Sequence, residues 1–286
     1  MTIRPLSGLA EIAGGYDVLL CDVWGVVHNG REAFAAPCAA LARWRRERGP
    51  VILISNSPRP ATGVAGQMDA LGVPRKCWSD LVTSGDVTRD LLAARAPGPA
   101  WRIGPERDAP LYDGLGLAFA GLEDAAFIAG TGPNHDETET PEDYRADLAR
   151  AAARGLEMVC ANPDRVVQRG ETLIYCAGAL AALYQELGGR VTMAGKPFAP
   201  IYDLCLARAE AHLGRPPDRR RVLVVGDGIA TDLAGADRQV LDALFIASGI
   251  HGADLGGAGG LDMAAVEAML AGEGARAAFA MADLTW

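Results

Sequence analysis

The chain has 286 residues, of which half are apolar and 22% are charged, a composition typical of a globular protein rather than a disordered one. Its formal net charge is −9, and the densest basic run, residues 43–48, is interleaved with apolar side chains as on one solvated helix face. The acidic balance therefore argues against a nucleic-acid-binding surface. The length predicts two domains, or one domain with a large insertion.

The six cysteines contain no CxxC pair, and three of them lie in apolar segments. They are typical of reduced core residues in a cytosolic protein and imply no metal cluster. Residues 1–15 lack a charged segment followed by an uninterrupted apolar one, and no apolar run reaches the length of a membrane span. We therefore expect a cytoplasmic protein with neither a secretion signal nor a membrane anchor.

Short apolar strands alternate with helical segments along the first part of the chain. The first strand, Val18 to Cys21, is apolar on both faces, as expected of a central parallel strand covered on each side. Strands at 51–54 and near 81 follow it in the same pattern. The helices predicted between and after them are 35–48, 62–71 and 87–94. This alternation predicts an α/β fold with a doubly wound, Rossmann-like parallel sheet.

The character of the sequence changes near Arg95, where a segment rich in proline and glycine begins. A second α/β set follows, with strands near 101–103, 126–129 and 157–160 and helices near 142–154 and 177–187. The first pattern resumes at Val191 and continues to the end, although 252–260 is predicted to be a loop. We therefore predict a core domain of residues 1–94 and 191–286, interrupted by a smaller inserted α/β domain at 95–190.

Polar side chains follow several of the core strands. Asp22 follows the first strand, Ser55 the second, and Asp227 a strand at 222–225, while Lys196 precedes a helix. Each residue has a simple structural interpretation: a turn residue for either aspartate, an N-cap for Ser55, and a surface lysine for Lys196. Their shared place at strand ends or helix starts instead favours one ligand site, because open α/β sheets bind ligands at the carboxyl ends of their strands.

The chemistry of these side chains is coherent. Asp22 and Asp227 could hold a hard divalent cation such as Mg²⁺ through oxygen. Lys196 and Ser55 could balance the charge on phosphoryl oxygens during transfer. A carboxylate beside a metal and a lysine could attack phosphorus and form an aspartyl-phosphate.

Seven short motifs, spread over nearly the whole chain, resemble those of one superfamily. They are D-x-W-G-V-x-x-N-G from Asp22, S-N-S-x-R from Ser55, T-S-G-D from Thr83, A-N-P-D from Ala161, G-A-L from Gly178, G-K-P from Gly195 and G-D-x-x-x-T-D from Gly226. Together they resemble the haloacid dehalogenase (HAD) superfamily hydrolases of the class with a large α/β cap. That class includes pyridoxal phosphatase, phosphoglycolate phosphatase and nucleotide monophosphatases.

The resemblance implies a Mg²⁺ site at the first and last motifs. Asp22 resembles the nucleophile and one metal ligand, the backbone carbonyl of Trp24 a second ligand, and Asp227 a third. Asp232 resembles the carboxylate that positions the metal site.

The resemblance also implies a phosphate site and a substrate-shaping region. Ser55 and the backbone amide of Asn56 resemble the phosphate-holding groups, and Lys196 resembles the cation that neutralises both Asp22 and the phosphate. The inserted domain would act as the cap, and its segment from Asn162 to Asp164 would shape the substrate pocket in a cleft between the two domains.

Trp24 departs from the family pattern, which carries a second aspartate at this position to protonate the leaving oxygen and then activate water. An indole N–H donates a hydrogen bond but exchanges no proton at neutral pH. General acid–base catalysis typically contributes about 10²–10⁴-fold, or roughly 3–5 kcal/mol of barrier. Relatives that lack this aspartate often cleave carbon–halogen or carbon–phosphorus bonds, but the presence of Asp227 and Lys196 argues for a metal and a phosphoryl group and against metal-free dehalogenation.

Two histidines are candidates for a substitute acid, because a histidine beside carboxylates titrates near neutrality. One is His28, for which a role in the turn or in substrate contact is the alternative. The other is His135, in a segment at 134–137 that could equally be a polar loop capping the helix after Pro141. For Trp24 itself, packing between the two domains is the alternative to a functional role.

The function predicted from these features is a Mg²⁺-dependent phosphohydrolase that acts on a small phosphorylated metabolite with an atypical acid–base step. The first alternative is a catalytically impaired relative that binds a phosphorylated metabolite or a partner protein. A plain nucleotide-binding module is disfavoured because no GxGxxG or GxxxxGK[ST] element follows the first strand. The sequence neither requires nor excludes a homodimer.

Overall fold

The computed structural model describes residues 3–169, 172–250, 255–257 and 260–286. The chain divides into two compact units. The first unit comprises Met1–Ser55, Thr62–Val82 and Lys196–Trp286, and the second comprises Asn56–Ala61 and Thr83–Gly195.

The first unit is built around a seven-stranded sheet. Its strands are β1 (Arg4–Pro5), β2 (Val18–Asp22), β3 (Val51–Ser55), β4 (Asp80–Thr83), β11 (Val222–Gly226), β12 (Asp242–Ile246) and β15 (Phe279–Met281). Its helices are α1 (Ala35–Glu47), α2 (Ala61–Ala70), α6 (Ala199–Leu213), α7 (Ala234–Gln239) and α8 (Met263–Gly272), and a short antiparallel pair joins β13 (Gly256–Gly257) to β14 (Gly260–Leu261).

The strand order of this sheet is β1-β15-β12-β11-β2-β3-β4, and β11, β2 and β3 run parallel to one another. All five residues of β2 are buried, as are all five of β11, because both strands lie inside the sheet and are covered on both faces. The prediction of an α/β fold with a doubly wound parallel sheet is confirmed.

The second unit contains a smaller parallel sheet in the order β10-β7-β6-β5. Its strands are β5 (Ala100–Ile103), β6 (Phe127–Gly130), β7 (Glu157–Cys160) and β10 (Arg190–Met193), its helices are α3 (Ser84–Ala93), α4 (Arg145–Ala153) and α5 (Ala177–Glu186), and its hairpin joins β8 (Val166–Arg169) to β9 (Thr172–Tyr175). Two apolar clusters of buried side chains stabilise it, one including Leu148 of α4 and Leu180 of α5, the other including Leu92 of α3.

The compact units begin and end at different residues from the predicted domains. Helix α3, which the sequence analysis placed in the core domain, contributes Leu92 to an apolar cluster of the second unit, together with Phe127 and Val159. The domain limits at 94 and 191, and the assignment of the two domains as core and cap, stay a prediction. The predicted loop at 252–260 lies partly outside the described residues.

Among the described residues, no helix has both the length and the apolar character that a membrane span requires. None of the six cysteines forms a disulfide bond, and all six side chains are buried. Burial removes these thiols from solvent, as expected of small apolar core residues.

Candidate active site

Three neighbouring strands of the first unit end side by side with polar residues. Strand β2 ends at Asp22, which pairs with Ile54 of β3, so Ser55 lies one residue beyond that pair. On the other side of β2, Val225 of β11 pairs with Cys21, and Asp227 follows the end of β11. The parallel register therefore brings these polar groups to one edge of the sheet, where α/β folds bind ligands.

Lys196 connects two of the carboxylates. Its Nζ donates a hydrogen bond to Asp22 Oδ1 at 2.7 Å and another to Asp232 Oδ1 at 2.8 Å, and all three side chains are buried. Burial by itself would lower the pKa of Lys196, but the attraction of Asp22 and Asp232 outweighs it and raises the pKa well above its ordinary value. Lys196 is therefore a fixed cation at the centre of the site and not a surface lysine.

Three buried carboxylates form a compact anionic cluster. Asp22, Asp227 and Asp232 each offer one oxygen, and these oxygens all lie within 4.8 Å of one another. Burial raises the pKa of each carboxyl to about 6, and repulsion from a neighbouring carboxylate adds to the effect in all three. One lysine cannot balance three carboxylates, so the cluster retains excess negative charge. This set of hard oxygen donors fits a divalent cation such as Mg²⁺.

Two glycines allow the chain to approach Asp227 closely. Gly25 has φ +86°, and a Cβ added there would lie 2.0 Å from Asp227 Oδ2. A Cβ added at Gly249 would lie 1.9 Å from the same atom, and the amide of Ile250 donates to it at 2.8 Å. Asp227 is thus held between two backbone segments, a role beyond that of a simple turn residue.

A single turn of π-helix, Ile229–Leu233, orients Asp232. The amide of Gly228 donates to Asp232 Oδ2 at 3.1 Å, and the hydroxyl of Thr231 donates to the same oxygen at 3.3 Å. The other oxygen is left for Lys196. Single π-turns are found frequently at functional sites, and here the turn supports a buried carboxylate.

The family model for haloacid dehalogenase-like hydrolases matches residues 19–118, and a second model, described as HAD-hydrolase-like, matches residues 193–266. A solved structure of a haloacid dehalogenase-like family hydrolase from Brucella suis 1330 is 45% identical, covers 100% of both chains and has a TM-score of 0.83. The chain belongs to the haloacid dehalogenase-like hydrolase family.

Curated relatives in this family are phosphatases. D-glycerol 3-phosphate phosphatase of Mycobacterium tuberculosis is 29% identical over 252 residues, which are 86% of this chain and 67% of the relative. A 5′-nucleotidase of Bacillus subtilis is 25% identical over 238 residues, 82% of this chain and 88% of the relative. The structure of the mycobacterial glycerol phosphate phosphatase in complex with magnesium has a TM-score of 0.63 at 28% identity, over 84% of this chain and 70% of that one. The resemblance inferred from the motifs is confirmed, and so is its implication of a hydrolase.

Trp24 lies on a tightly hydrogen-bonded loop that follows Asp22. The amide of Gly25 donates to the carbonyl of His28 at 2.8 Å, and the amide of Gly30 donates to His28 Nδ1 at 3.0 Å. Burial lowers the pKa of His28, so a neutral imidazole that accepts the Gly30 bond is the stable form. This bonding favours the structural interpretation of His28, whereas the Trp24 side chain is 49% exposed.

The remaining predicted site residues lie in the second unit. The side-chain amide of Asn56 donates to Asp164 Oδ1 at 2.9 Å, and the backbone amide of Asp164 donates to Asn162 Oδ1 at 3.0 Å. His135 is exposed and is not part of this group; its amide donates to Glu139, as in a polar loop. The second unit thus joins Asn56, Asn162 and Asp164, whereas their roles toward a substrate stay a prediction.

Two of the family motifs have a structural explanation. Thr83 and Asp86 of T-S-G-D form a capping box at the start of α3. Gly178 of G-A-L packs against the backbone, because a Cβ there would lie 2.0 Å from the carbonyl oxygen of Pro163. The support that Ile250 and Gly249 give to Asp227 was not predicted, since no motif marks that loop in the sequence.

Proposed function

We propose that this chain is a Mg²⁺-dependent phosphohydrolase that cleaves monoesters of small phosphorylated metabolites through an aspartyl-phosphate on Asp22. The observation that carries the proposal is the buried bridge from Lys196 to Asp22 and Asp232, beside Asp227. A lysine fixed between carboxylates at the end of a central strand balances the charge of a nucleophile and of an incoming phosphate at the same point.

In the first step, a carboxylate oxygen of Asp22 attacks phosphorus, the bond from phosphorus to the leaving oxygen breaks, and the leaving oxygen takes up a proton. Asp22, with a pKa of about 6, is mostly ionised at neutral pH and is therefore available as the nucleophile. Ser55, the amide of Asn56 and Lys196 hold the phosphate oxygens. In the second step, water attacks the phosphorus of the aspartyl-phosphate and the bond from phosphorus to the Asp22 oxygen breaks. This step releases inorganic phosphate, regenerates the Asp22 carboxylate and gives a proton to solvent.

Asp22, Asp227 and the carbonyl of Trp24 would hold Mg²⁺, and a bound ion would neutralise charge on the phosphoryl group. Asp232 orients this set through Lys196, since the two side chains are in direct contact. The mycobacterial relative, whose structure contains magnesium, supports the choice of metal.

The group at position 24 sets the limit on this chemistry. Trp24 provides no proton for the leaving oxygen and no base for the attacking water, so both steps depend on solvent or on the substrate. A second candidate function, binding of a phosphorylated metabolite without turnover, rests on this same observation. Curated relatives that act on glycerol 3-phosphate and on nucleotides favour turnover of a small phosphate monoester.

A screen of phosphorylated metabolites with Mg²⁺, at high enzyme concentration and with phosphate release as readout, tests the proposal. Asp22→Asn is the control, because it keeps the shape of the side chain and removes the nucleophile. We expect Mg²⁺-dependent release from the wild type and none from the variant. If the wild type binds phosphate compounds and Mg²⁺ but releases no phosphate from any of them, the binding function takes its place.

A further inference from the structure

Trp24 presents an unusual surface within the first unit. The Trp24 side chain is 49% exposed, whereas its neighbours Val23 and Val26 are almost fully buried. Among the large hydrophobic side chains that are exposed in the described part of that unit, Trp24 is the one aromatic residue. A single exposed apolar residue is common on protein surfaces and carries no functional meaning by itself. Its meaning depends on how firmly the indole is held and on what lies beside it.

The backbone of the loop that carries Trp24 is fixed by several interactions, and one glycine of the loop lies beside the indole. Trp24 forms a β-bridge with His28, and His28 forms another with Ala33. Gly30 lies against the ring, since a Cβ added at Gly30 would meet Trp24 Nε1 at 3.4 Å. The Asn29 side chain further closes the loop by accepting the amides of residues 31 and 32. An exposed aromatic ring with this much support loses little conformational entropy when a ligand covers it.

The position of Trp24 in the sequence keeps its backbone close to that of Asp22. One residue separates it from Asp22, and two trans peptide units place the two Cα atoms at most about 7.6 Å apart. A phosphate held by Asp22 and Lys196 therefore has its ester substituent within reach of the indole. The indole carries no charge, so its face contacts flat, apolar groups and discriminates among substituents by shape.

We propose that Trp24 is a specificity-determining residue, and that its indole stacks on a planar aromatic ring in the organic part of the substrate. This inference rests on the proposed function, because it places the phosphate of that substrate at Asp22 and Lys196. Trp24 stands where the family pattern has an acid–base group, and it adds a recognition surface there. The preferred substrates are phosphate monoesters with an aromatic ring near the phosphate.

Binding of non-hydrolysable phosphonates tests the inference without turnover. In the presence of Mg²⁺, isothermal titration calorimetry compares phenylphosphonate with cyclohexylphosphonate, which is similar in size but not planar. We expect the wild type to bind phenylphosphonate roughly 3- to 10-fold more tightly, as for an aromatic pair. Trp24→Leu should abolish the preference and Trp24→Phe should retain part of it. Trp286→Phe, a change at a tryptophan that stacks on Arg43, is the control that keeps the preference.

The outcomes separate this inference from the proposed function. Equal affinity of the wild type for the two phosphonates, or a phenyl preference that survives in Trp24→Leu, would overturn the stacking role alone. If inorganic phosphate and both phosphonates fail to bind the wild type, the phosphoryl site itself is wrong and this inference falls with it.

A kinetic comparison excludes an effect of the leaving group. Phenethyl phosphate and cyclohexylethyl phosphate release alcohols of similar acidity, so both leaving oxygens need a proton to the same extent. We expect a KM for phenethyl phosphate roughly 3- to 10-fold lower in the wild type, with similar kcat, and no difference in Trp24→Leu. A preference expressed in kcat and unchanged by the substitution would contradict the assignment.

Discussion

At the scale of single residues, the site combines strongly placed charges with one unexpected neutral group. Lys196 lies within 2.8 Å of two carboxylate oxygens, and each of the three clustered aspartates is almost fully buried. Under the proposed function, the same lysine would balance the charge of the nucleophile and of the phosphate. Trp24 is the residue where this chain departs from its family, and its chemical consequences are testable.

Trp24→Asp should raise the turnover of an alkyl phosphate by as much as ~10²-fold, because a carboxyl at this position can protonate the leaving oxygen. The wild type should favour acyl phosphates, because their leaving group is a carboxylate, which is a stable anion. This preference should be smaller in the variant. The measurement is the ratio of acyl to alkyl phosphate rates in both proteins.

Trp24→Asn is the matched control, because its amide has nearly the shape of the carboxyl and transfers no proton. Its ratio of acyl to alkyl rates should stay at the wild-type value. An equal gain in the Asn and Asp variants, or an unchanged ratio in Trp24→Asp, would mean that another residue supplies the proton, with His135 the next to substitute.

At the scale of elements, the loop after β2 and the close approach of Gly25 to Asp227 define the site. A backbone with positive φ and no Cβ is required at Gly25, and His28 Nδ1 accepts the amide of Gly30 further along the loop. Both features are local, so each is open to a single substitution with a matched control.

Gly25→Ala should weaken Mg²⁺ binding, because the added Cβ would lie 2.0 Å from Asp227 Oδ2 and displace that carboxylate. Gly72→Ala separates this clash from backbone strain, since Gly72 has φ +83° but no atom within 4 Å of the added Cβ. Each variant should lose about 1–2 kcal/mol of stability from its left-handed conformation. Calorimetric titration with Mg²⁺ should show reduced affinity only in Gly25→Ala; equal affinities would contradict the role of Gly25.

The stability of the loop should depend on the charge of His28. Burial lowers the pKa of His28 in the folded state, so the unfolded chain binds the proton more readily once the pH falls below about 6.5. The contribution of His28 to stability is therefore present above that pH and is lost as the pH falls through the folded pKa. One pH unit below 6.5, the loss should reach at most about 1.4 kcal/mol.

Urea unfolding of the wild type and of His28→Asn, at a pH of about 6.5 and at one pH unit below it, measures this effect. The asparagine oxygen can accept the Gly30 amide but does not titrate, so the difference between the two proteins isolates the imidazole. The aspartate cluster contributes equally to both and cancels. A difference that does not change with pH would show that His28 is not held neutral.

At the scale of the whole molecule, the anionic cluster couples metal binding to stability. Burial raises the pKa of Asp22, Asp227 and Asp232 to about 6, above the ordinary aspartate value of about 3.9. Their contribution to the stability of the metal-free protein is present below that ordinary value and is lost as the pH rises through about 6. Above this range, a bound divalent cation would offset the repulsion among the carboxylates.

Mg²⁺ should therefore raise the melting temperature more above pH 6 than below it, where protons compete for the carboxylates. At a Mg²⁺ concentration about 100-fold above Kd, the free energy of unfolding should rise by about 2.7 kcal/mol. Each kcal/mol raises the melting temperature by about 2–4 °C. Thermal melts with Mg²⁺ and with a chelator provide the measurement. In Asp227→Asn, which can still accept the amide of Ile250, the gain should be small; a full gain would remove Asp227 from the metal site.

Much of this protein was predictable from its sequence. The apolar run at 18–21 and its repeats predict buried parallel strands, because only strands covered on both faces are apolar throughout. The polar residues at the strand ends then predict a site at one edge of the sheet, since parallel strands place their carboxyl ends together. Asp22, Ser55 and Asp227 follow from that rule and lie at the expected edge.

Only the tertiary structure shows which side chains from distant parts of the chain come into contact. Lys196 and Asp22 are 174 positions apart and Asn56 and Asp164 are 108 positions apart, so only folding brings their side chains within hydrogen-bond distance. The grouping of α3 with the second unit depends on which cluster buries Leu92, and the helical pattern of α3 in the sequence does not contain that information. The exposure of Trp24 is likewise a property of the folded loop, because an apolar side chain beside a buried strand is predicted to be buried from its sequence context alone.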